Sequence, residues 1–105
     1  MKEIVINPRK MEKSLEKAYN LTKAIANKNR MTLLCQLSSG EKNVGELESL
    51  TGIRQPTLSQ QIGVLREEKV ISSRREGKNI YYSISNPVAL QIIELLYEHY
   101  CKQRA

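Results

Sequence analysis

Residues 43–65 constrain the fold most, because their apolar positions describe two short helices that meet at a glycine. The apolar positions, spaced three or four residues apart within each helix, are Val44, Leu47, Leu50, Leu58, Ile62 and Leu65. Gly52 lies between the two stripes and can take the left-handed conformation that ends a helix. Ile53 can then fill the angle between the helices. The segment therefore predicts a helix-turn-helix.

The second of these helices would expose a run of uncharged hydrogen-bonding side chains. They are Gln55, Thr57, Ser59, Gln60 and Gln61. Glutamine can make two hydrogen bonds to adenine, and serine or threonine can bond a base or a phosphate. We expect these residues to contact DNA. The alternative is a polar helix face that is merely solvated.

A β-hairpin is predicted directly after the second helix. Residues 70–75 and 79–84 are rich in β-branched or aromatic residues, and residues 76–78 between them are typical of a turn. Positive charge near the turn would lie where phosphates and the minor groove pass. The cations are Arg74, Arg75 and Lys78. Cationic turns are common, but one that follows a helix-turn-helix indicates a mainly α, winged helix-turn-helix fold with four helices, two strands and a fifth helix.

Charge and length agree with a nucleic-acid partner. The chain has 17 Lys and Arg against 11 Asp and Glu, a formal net charge of +6, which favours a polyanion but also serves solubility. Its 105 residues predict one domain, residues 1–105, small enough to benefit from dimerisation.

Apolar runs are too short to span a membrane, and the N-terminus lacks the pattern of a signal peptide. We expect a cytoplasmic protein that does not contact membranes.

The segments that flank this module have the pattern of dimerisation helices. A helix over about residues 9–27 carries a heptad seam. The seam consists of Met11, Leu15, Ala18, Thr22 and Ile25. A second helix, at about residues 87–104, begins at Asn86-Pro87 and is apolar around much of its circumference. Its apolar residues include Ile92, Leu95, Leu96 and Tyr100. We predict a homodimer through both helices; the alternative is that they cover the winged domain of a monomer.

Cys35 and Cys101 are the only cysteines, and they fall on different predicted helices. A permanent disulfide is not expected in the cytosol, which leaves inert thiols or a switch. The residues alone favour inert, buried thiols. His99 is the only histidine, and the three side chains match a tetrahedral metal site poorly.

No metal, cofactor or catalytic constellation is predicted, so the chain is not expected to be an enzyme. A winged domain that binds a protein instead of DNA is a further alternative.

The order of elements and the segment NVGELESLTGIRQPTLSQQIGVLREEKVISSRREGKNIYYSIS resemble the ArsR/SmtB family of winged-helix repressors. The resemblance extends over about residues 11–101. The LLC segment at Cys35 and the YEHYC segment at Cys101 are similar to the persulfide- and sulfide-responsive BigR/SqrR branch and to HlyU-like regulators, in which the matching cysteines form the sensing pair. NVGELE stands where metal-sensing members have a cysteine cluster, and their Asp/His ligands in the last helix are missing. A metal-responsive repressor is therefore the weaker alternative.

The resemblance implies a mechanism. A reduced homodimer would bind an inverted-repeat operator in double-stranded DNA and repress transcription. Reactive sulfur species would act as the inducer by joining Cys35 to Cys101 within one subunit, which would weaken operator binding. Two further outcomes remain open. One is an HlyU-like antirepressor, and the other is a constitutive DNA-binding regulator with structural cysteines.

Overall fold

The computed structural model describes Ile4 and residues 7–102. In that part of the chain the helices and strands are α1 Pro8–Ile25, α2 Lys28–Leu37, β1 Lys42–Asn43, α3 Val44–Thr51, α4 Thr57–Glu67, β2 Ile71–Glu76, β3 Asn79–Ile84 and α5 Pro87–Leu96. A single π-helical turn, Tyr97–Cys101, continues α5. This order confirms the predicted winged helix-turn-helix with flanking helices.

Asparagine side chains begin four of the α-helices in the described region. The capping residues are Asn7, Asn27, Asn43 and Asn86. Each side-chain oxygen accepts a backbone N–H of the first turn that would otherwise have no partner. At α3 the cap is reciprocal, because the Glu46 side chain also accepts the N–H of Asn43, with an N···O distance of 3.0 Å. The start predicted at Asn86-Pro87 is confirmed.

The wing is a three-stranded antiparallel sheet with β3 at its centre. Glu76 pairs with Asn79, so Gly77 and Lys78 form a two-residue turn, and Gly77 has a φ of 61° that favours glycine. The sequence did not predict β1. It has only two residues and pairs Lys42 with Tyr82, and a strand of that length shows no alternation of apolar and polar positions.

A leucine-rich core lies beneath α4. Its fully buried large side chains are Leu33, Leu34, Leu47, Leu58, Leu65, Val70 and Ile93. The stripe predicted on α4 is buried, Gly52 ends α3 in the left-handed conformation with a φ of 74°, and Ile53 packs against the core. The inward position predicted for Leu50 is wrong, because its side chain is 53% exposed. Three residues advance a helix by about 300°, so Leu50 lies beyond the edge of the face that Leu47 buries.

The flanking helices differ from the predicted ones at their ends. α1 stops at Ile25 because Asn27 already caps α2. Ile25, the last residue of the predicted dimer seam, is buried in the core of its own chain. The predicted residues 103 and 104 of the last helix lie outside the described residues.

Within the described part of the chain, no helix combines the length and apolarity that a membrane span needs.

Candidate nucleic-acid interface and thiol pair

The exposed face of α4 is the surface that can enter a DNA groove. Leu58, Ile62 and Leu65 anchor the opposite face in the core. Gln60 lies about 200° around the helix from Leu58 and is exposed, as is Ser59, whereas Thr57 is half-buried. The core therefore holds α4 with Gln60 pointing away from the protein.

Gln55 has a local structural role at the start of α4. The N-cap residue, Pro56, makes no side-chain hydrogen bond to the first turn. The Gln55 Oε1 atom instead accepts the backbone N–H of Ser59 at 3.0 Å. Its amide nitrogen keeps two donors, so capping and DNA contact by Gln55 are compatible.

Gln61 does not lie on the exposed face on which the sequence pattern placed it. It is half-buried, and its Oε1 atom accepts a hydrogen bond from Arg30 Nη1 on α2 at 2.8 Å. The physical reason is its position about 60° from Leu58, at the edge of the buried face, where α2 packs on α4. Gln61 therefore contacts the protein's own scaffold.

Arg74 is engaged within the wing and is not a solvated cation at its tip. Its guanidinium donates to both carboxylate oxygens of Glu41 and to Glu76 Oε2, the last at 3.2 Å. It also lies 5.0 Å from the centre of the Tyr81 ring. These contacts fasten the exposed face of β2 to β3 and to the residue before β1.

The carboxylates change the electrostatics of the wing. The hydrogen bond from Arg74 lowers the pKa of Glu41, and the same hydrogen bond is the main cause that raises the pKa of Arg74. Among the described residues, neither Arg75 nor Lys78 has a carboxylate within ion-pair distance. Arg75 donates only a long hydrogen bond, 3.4 Å, to the carbonyl of Gly77. Arg75 and Lys78 are therefore cations at the hairpin end of the wing whose charge no carboxylate in the described part of the chain compensates.

Both cysteines are free thiols, Cys35 on α2 and Cys101 at the end of the π-helical turn that continues α5. Cys35 is half-buried and packs against the core, whereas Cys101 is exposed. Burial raises the pKa of the Cys35 thiol, and the charge of Cys101 raises it further. Because α2 packs against α5, the fold brings together the two elements that carry these cysteines, although the residues are 66 positions apart in the sequence.

A π-helical turn positions Cys101. The Lys102 N–H donates to the carbonyl of Tyr97 at 2.9 Å, which is the five-residue hydrogen bond of a π-helix. In a regular α-helix Cys101 would lie about 80° from Ile93, the fully buried residue on the core-facing side of α5. The wider turn advances less per residue and returns Cys101 toward that side. π-Helical turns occur frequently at functional sites.

The outer faces of α1 and α5 expose large apolar side chains. Leu15 is 55% exposed, Leu95 59% and Tyr100 83%. Between the helices lies an apolar groove of about 220 Å³. It is lined by Thr22, Ile25, Ala26, Met31, Ile92 and Leu96. The Thr22 hydroxyl donates to the carbonyl of Ala18 at 2.7 Å, so its hydrogen-bonding capacity is met within the helix. Met11 is half-buried and Ala18 exposed.

Comparison with known proteins decides the family. The model of the bacterial regulatory protein arsR family matches residues 27–73. The biofilm growth-associated repressor of Agrobacterium fabrum is 47% identical over 91 residues, which cover 87% of this chain and 78% of the repressor. The chain belongs to the ArsR family.

Two further transcriptional regulators extend the match. The transcriptional activator HlyU of Vibrio cholerae is 37% identical over 102 residues, 97% of this chain and 94% of that protein. The crystal structure of the transcriptional repressor BigR from Xylella fastidiosa superposes with a TM-score of 0.82 at 43% identity, over 93% of this chain and 100% of BigR. This ArsR-family chain is therefore a DNA-binding transcriptional regulator and not an enzyme.

Sequence reasoning missed two residues that shape the site of this ArsR-family protein. Glu41 holds Arg74, 33 residues away, and Arg30 holds Gln61, 31 residues away. The only signal in the sequence was that each is a charged residue beside a predicted element. Charged residues occur at such positions throughout the chain, so this signal does not distinguish them.

The Arg74–Glu41 contact predicts a pH dependence. Because the folded-state pKa of Glu41 is lowered, the contact stabilises the wing fully above the ordinary value of 4.5 and is lost as the pH falls through the lower folded-state pKa. An NMR titration of the Glu41 carboxyl carbon should give a midpoint below 4.5, and Arg74→Gln should raise it. Equal midpoints in the two proteins would show that Arg74 does not hold Glu41.

Proposed function

We propose that this protein is a homodimeric repressor that binds an inverted-repeat operator and is released when reactive sulfur species modify Cys35 and Cys101. The observation that carries the proposal is that α2, which bears the half-buried Cys35, packs against α5, whose continuation bears the exposed Cys101. Both lie outside α4 and the wing, so their chemistry can act on DNA binding only through the fold. We infer that the protein acts in the cytoplasm, where its DNA target would lie.

Two sets of residues would bind DNA, one by contacting base edges and the other by contacting the phosphate backbone or the minor groove. The exposed Gln60 and Ser59, with Thr57 and the free amide of Gln55, supply hydrogen-bonding groups for base edges in the major groove. Arg75 and Lys78 supply positive charge for phosphates or the minor groove. Arg74 acts indirectly, by keeping the wing in shape.

We expect Gln60→Ala and Lys78→Ala to differ in sequence dependence. The probes are a duplex selected from a random-sequence library by the wild-type protein and a scrambled duplex of the same composition. Gln60→Ala should cost about 1–3 kcal/mol on the selected duplex and little on the scrambled one. Lys78→Ala should weaken both and reduce the salt slope by about 1. Fluorescence anisotropy over a salt series measures both effects.

Two results would count against this division. Equal losses on both duplexes from Gln60→Ala would remove its reading role. No preference of the wild-type protein for any sequence would contradict the proposed operator.

Dimerisation would cover the apolar surfaces of α1 and α5. A symmetric dimer through these helices would bury Leu15, Leu95 and Tyr100 and fill the groove between the helices. It would also place two recognition helices on one face, as an inverted repeat requires. The relatives from Agrobacterium and Xylella are named repressors, which supports the repressor role of the proposed dimer.

Charge in this surface should separate the subunits. Leu15→Glu with Leu95→Glu would place unpaired carboxylates in the interface, and we expect a dissociation constant raised at least tenfold, since burying a charge is costly. Both side chains are exposed within one chain, so the monomer should still fold. Leu50→Glu on α3, at a leucine that is 53% exposed, is the matched control and should stay dimeric. Light scattering coupled to size-exclusion chromatography reports the mass, and an unchanged dimer in the double variant would exclude this surface.

Sulfur chemistry can proceed in two balanced steps. The exposed Cys101 thiolate attacks the outer sulfur of a persulfide, RSSH, forms Cys101–SSH and releases RSH. Cys35 then loses its proton, attacks the Sγ atom of Cys101 and displaces HS⁻, which leaves a disulfide. Overall, RSSH and two thiols give RSH, H₂S and one disulfide, and a longer polysulfide donor can leave extra sulfur in the bridge. The bridge would pull the end of α5 against α2, and a coupling of about 1–3 kcal/mol would release the operator.

Single cysteine variants test the switch. Cys35→Ser and Cys101→Ser should each bind the selected duplex when reduced, because neither side chain lies on α4 or the wing. Each should lose the response to a persulfide donor, and the double variant should be no more defective than either single one.

Because the pKa of Cys35 is raised, iodoacetamide should label Cys101 first at pH 7, and labelling of Cys35 should accelerate as the pH rises above 9.

Release of DNA by persulfide from a protein without either thiol would end the sensor proposal. A normal persulfide response in both single variants would have the same consequence and would leave a constitutive regulator with structural cysteines. Zinc-dependent release that survives loss of both thiols would instead favour metal response.

Transcriptional activation is a second candidate function. The HlyU relative, which matches 97% of this chain, is named a transcriptional activator. In that case the dimer would relieve another silencer at the same promoter. Promoter-reporter assays with and without the protein separate the two outputs, since a repressor lowers expression from its selected site and an antirepressor raises it only when the silencer is present.

A further inference from the structure

The Arg30 guanidinium closes the C-terminal end of α1. The carbonyls of Lys23 and Ala24 are beyond the reach of the helical hydrogen-bond pattern, and among the described residues no backbone N–H bonds to them. Arg30 Nε donates to Ala24, and Nη2 donates to Lys23 at 3.2 Å. A cation at this end of a helix also interacts favourably with the helix dipole.

The same guanidinium reaches the recognition helix. Arg30 Nη1 donates to Gln61 Oε1 at 2.8 Å, while the backbone N–H of Arg30 is held by the cap residue Asn27 at 3.0 Å. A guanidinium is planar, with its donors in a fixed fork. Three of its nitrogens thus connect the end of α1 to one side of α4 with little freedom to rotate.

Small rotations of α4 matter for reading bases. A helix with its side chains is about 10–12 Å across, so a rotation of about 10° moves the end of a side chain by about 1 Å. Hydrogen bonds to base edges tolerate less than that, since their N–H···O distances fall within about 2.7–3.2 Å. Gln60 and Gln61 are adjacent on α4, so a contact that holds Gln61 also sets the direction of Gln60.

We propose that Arg30 is a positioning residue for DNA reading, which holds α4 at a fixed rotation relative to the end of α1 through the Gln61 side chain. The inference rests on the proposed reading of an operator by α4. It gives Gln61 the role of an acceptor for Arg30. The amide nitrogen of Gln61 has no part in this role.

Two substitutions at Gln61 separate this role from direct base contact. Gln61→Leu removes the acceptor, and we expect the ratio of affinities for the selected and scrambled duplexes to fall about tenfold. Gln61→Glu restores an acceptor and should keep the ratio within about twofold of the wild type. Any repulsion between the new carboxylate and phosphates acts on both duplexes and cancels in the ratio. Gln36→Leu on α2, also a half-buried glutamine, is the matched control.

A variant of Arg30 completes the cycle. Arg30→Lys keeps a positive charge at the end of α1 but loses the planar fork, so the ratio should fall as in Gln61→Leu. The double variant should lose no more than either single one, because both remove the same contact. A residue that only stabilises α1 would lower the melting temperature without this coupling, and circular dichroism measures that temperature.

Three outcomes overturn the inference. In the first, Gln61→Glu loses as much of the ratio as Gln61→Leu, which would assign Gln61 a direct contact to DNA. In the second, the losses of the Arg30 and Gln61 variants add. In the third, Gln60→Ala lowers the ratio while Gln61→Leu does not. This result would refute the positioning role of Arg30 and leave the reading role of Gln60 intact. A wild-type protein that prefers no duplex would remove both this inference and the proposed operator.

Discussion

Helix α2 packs against every other α-helix of the described fold and against β3, and the remaining structure depends on its burial. Leu33 and Leu34 are fully shielded from solvent, and Leu37 is nearly so. The chain contains no Phe or Trp, so these leucines provide much of the core volume. Since protein interiors are close-packed, a shift of α2 must be accommodated by the elements around it.

The position of α2 offers a route by which the proposed chemistry at Cys35 would affect DNA binding. Cys35 lies on α2 and packs against the core, while Arg30, near the start of the same helix, contacts both α1 and α4. The proposed dimer helices, one of the cysteines and the helix proposed to read DNA therefore all meet at this ten-residue helix. No long pathway through the protein is required, because a displacement of this helix reaches each of those elements directly.

Local patterns made most of the fold predictable. The stripe Leu58, Ile62 and Leu65, the left-handed Gly52 and the Asn86 cap each depend on neighbours a few residues away, and each was confirmed. The positions of Gln61 and Arg74 were not predictable, because their partners lie about thirty residues away and polar side chains on exposed and partner-facing sides look alike in a sequence. No residue pattern in the sequence predicts the π-helical turn that ends at Cys101.

The asparagine caps make the starts of these helices insensitive to pH. Four of the described helices begin at a side chain that carries no ionisable group, so their capping oxygens stay acceptors at any physiological acidity. Aspartate at the same positions would make the helix starts weaken in acid, as its oxygens gained protons. With asparagine, the capped starts of α2 and α5 keep their hydrogen bonds even at a pH low enough to protonate carboxylates.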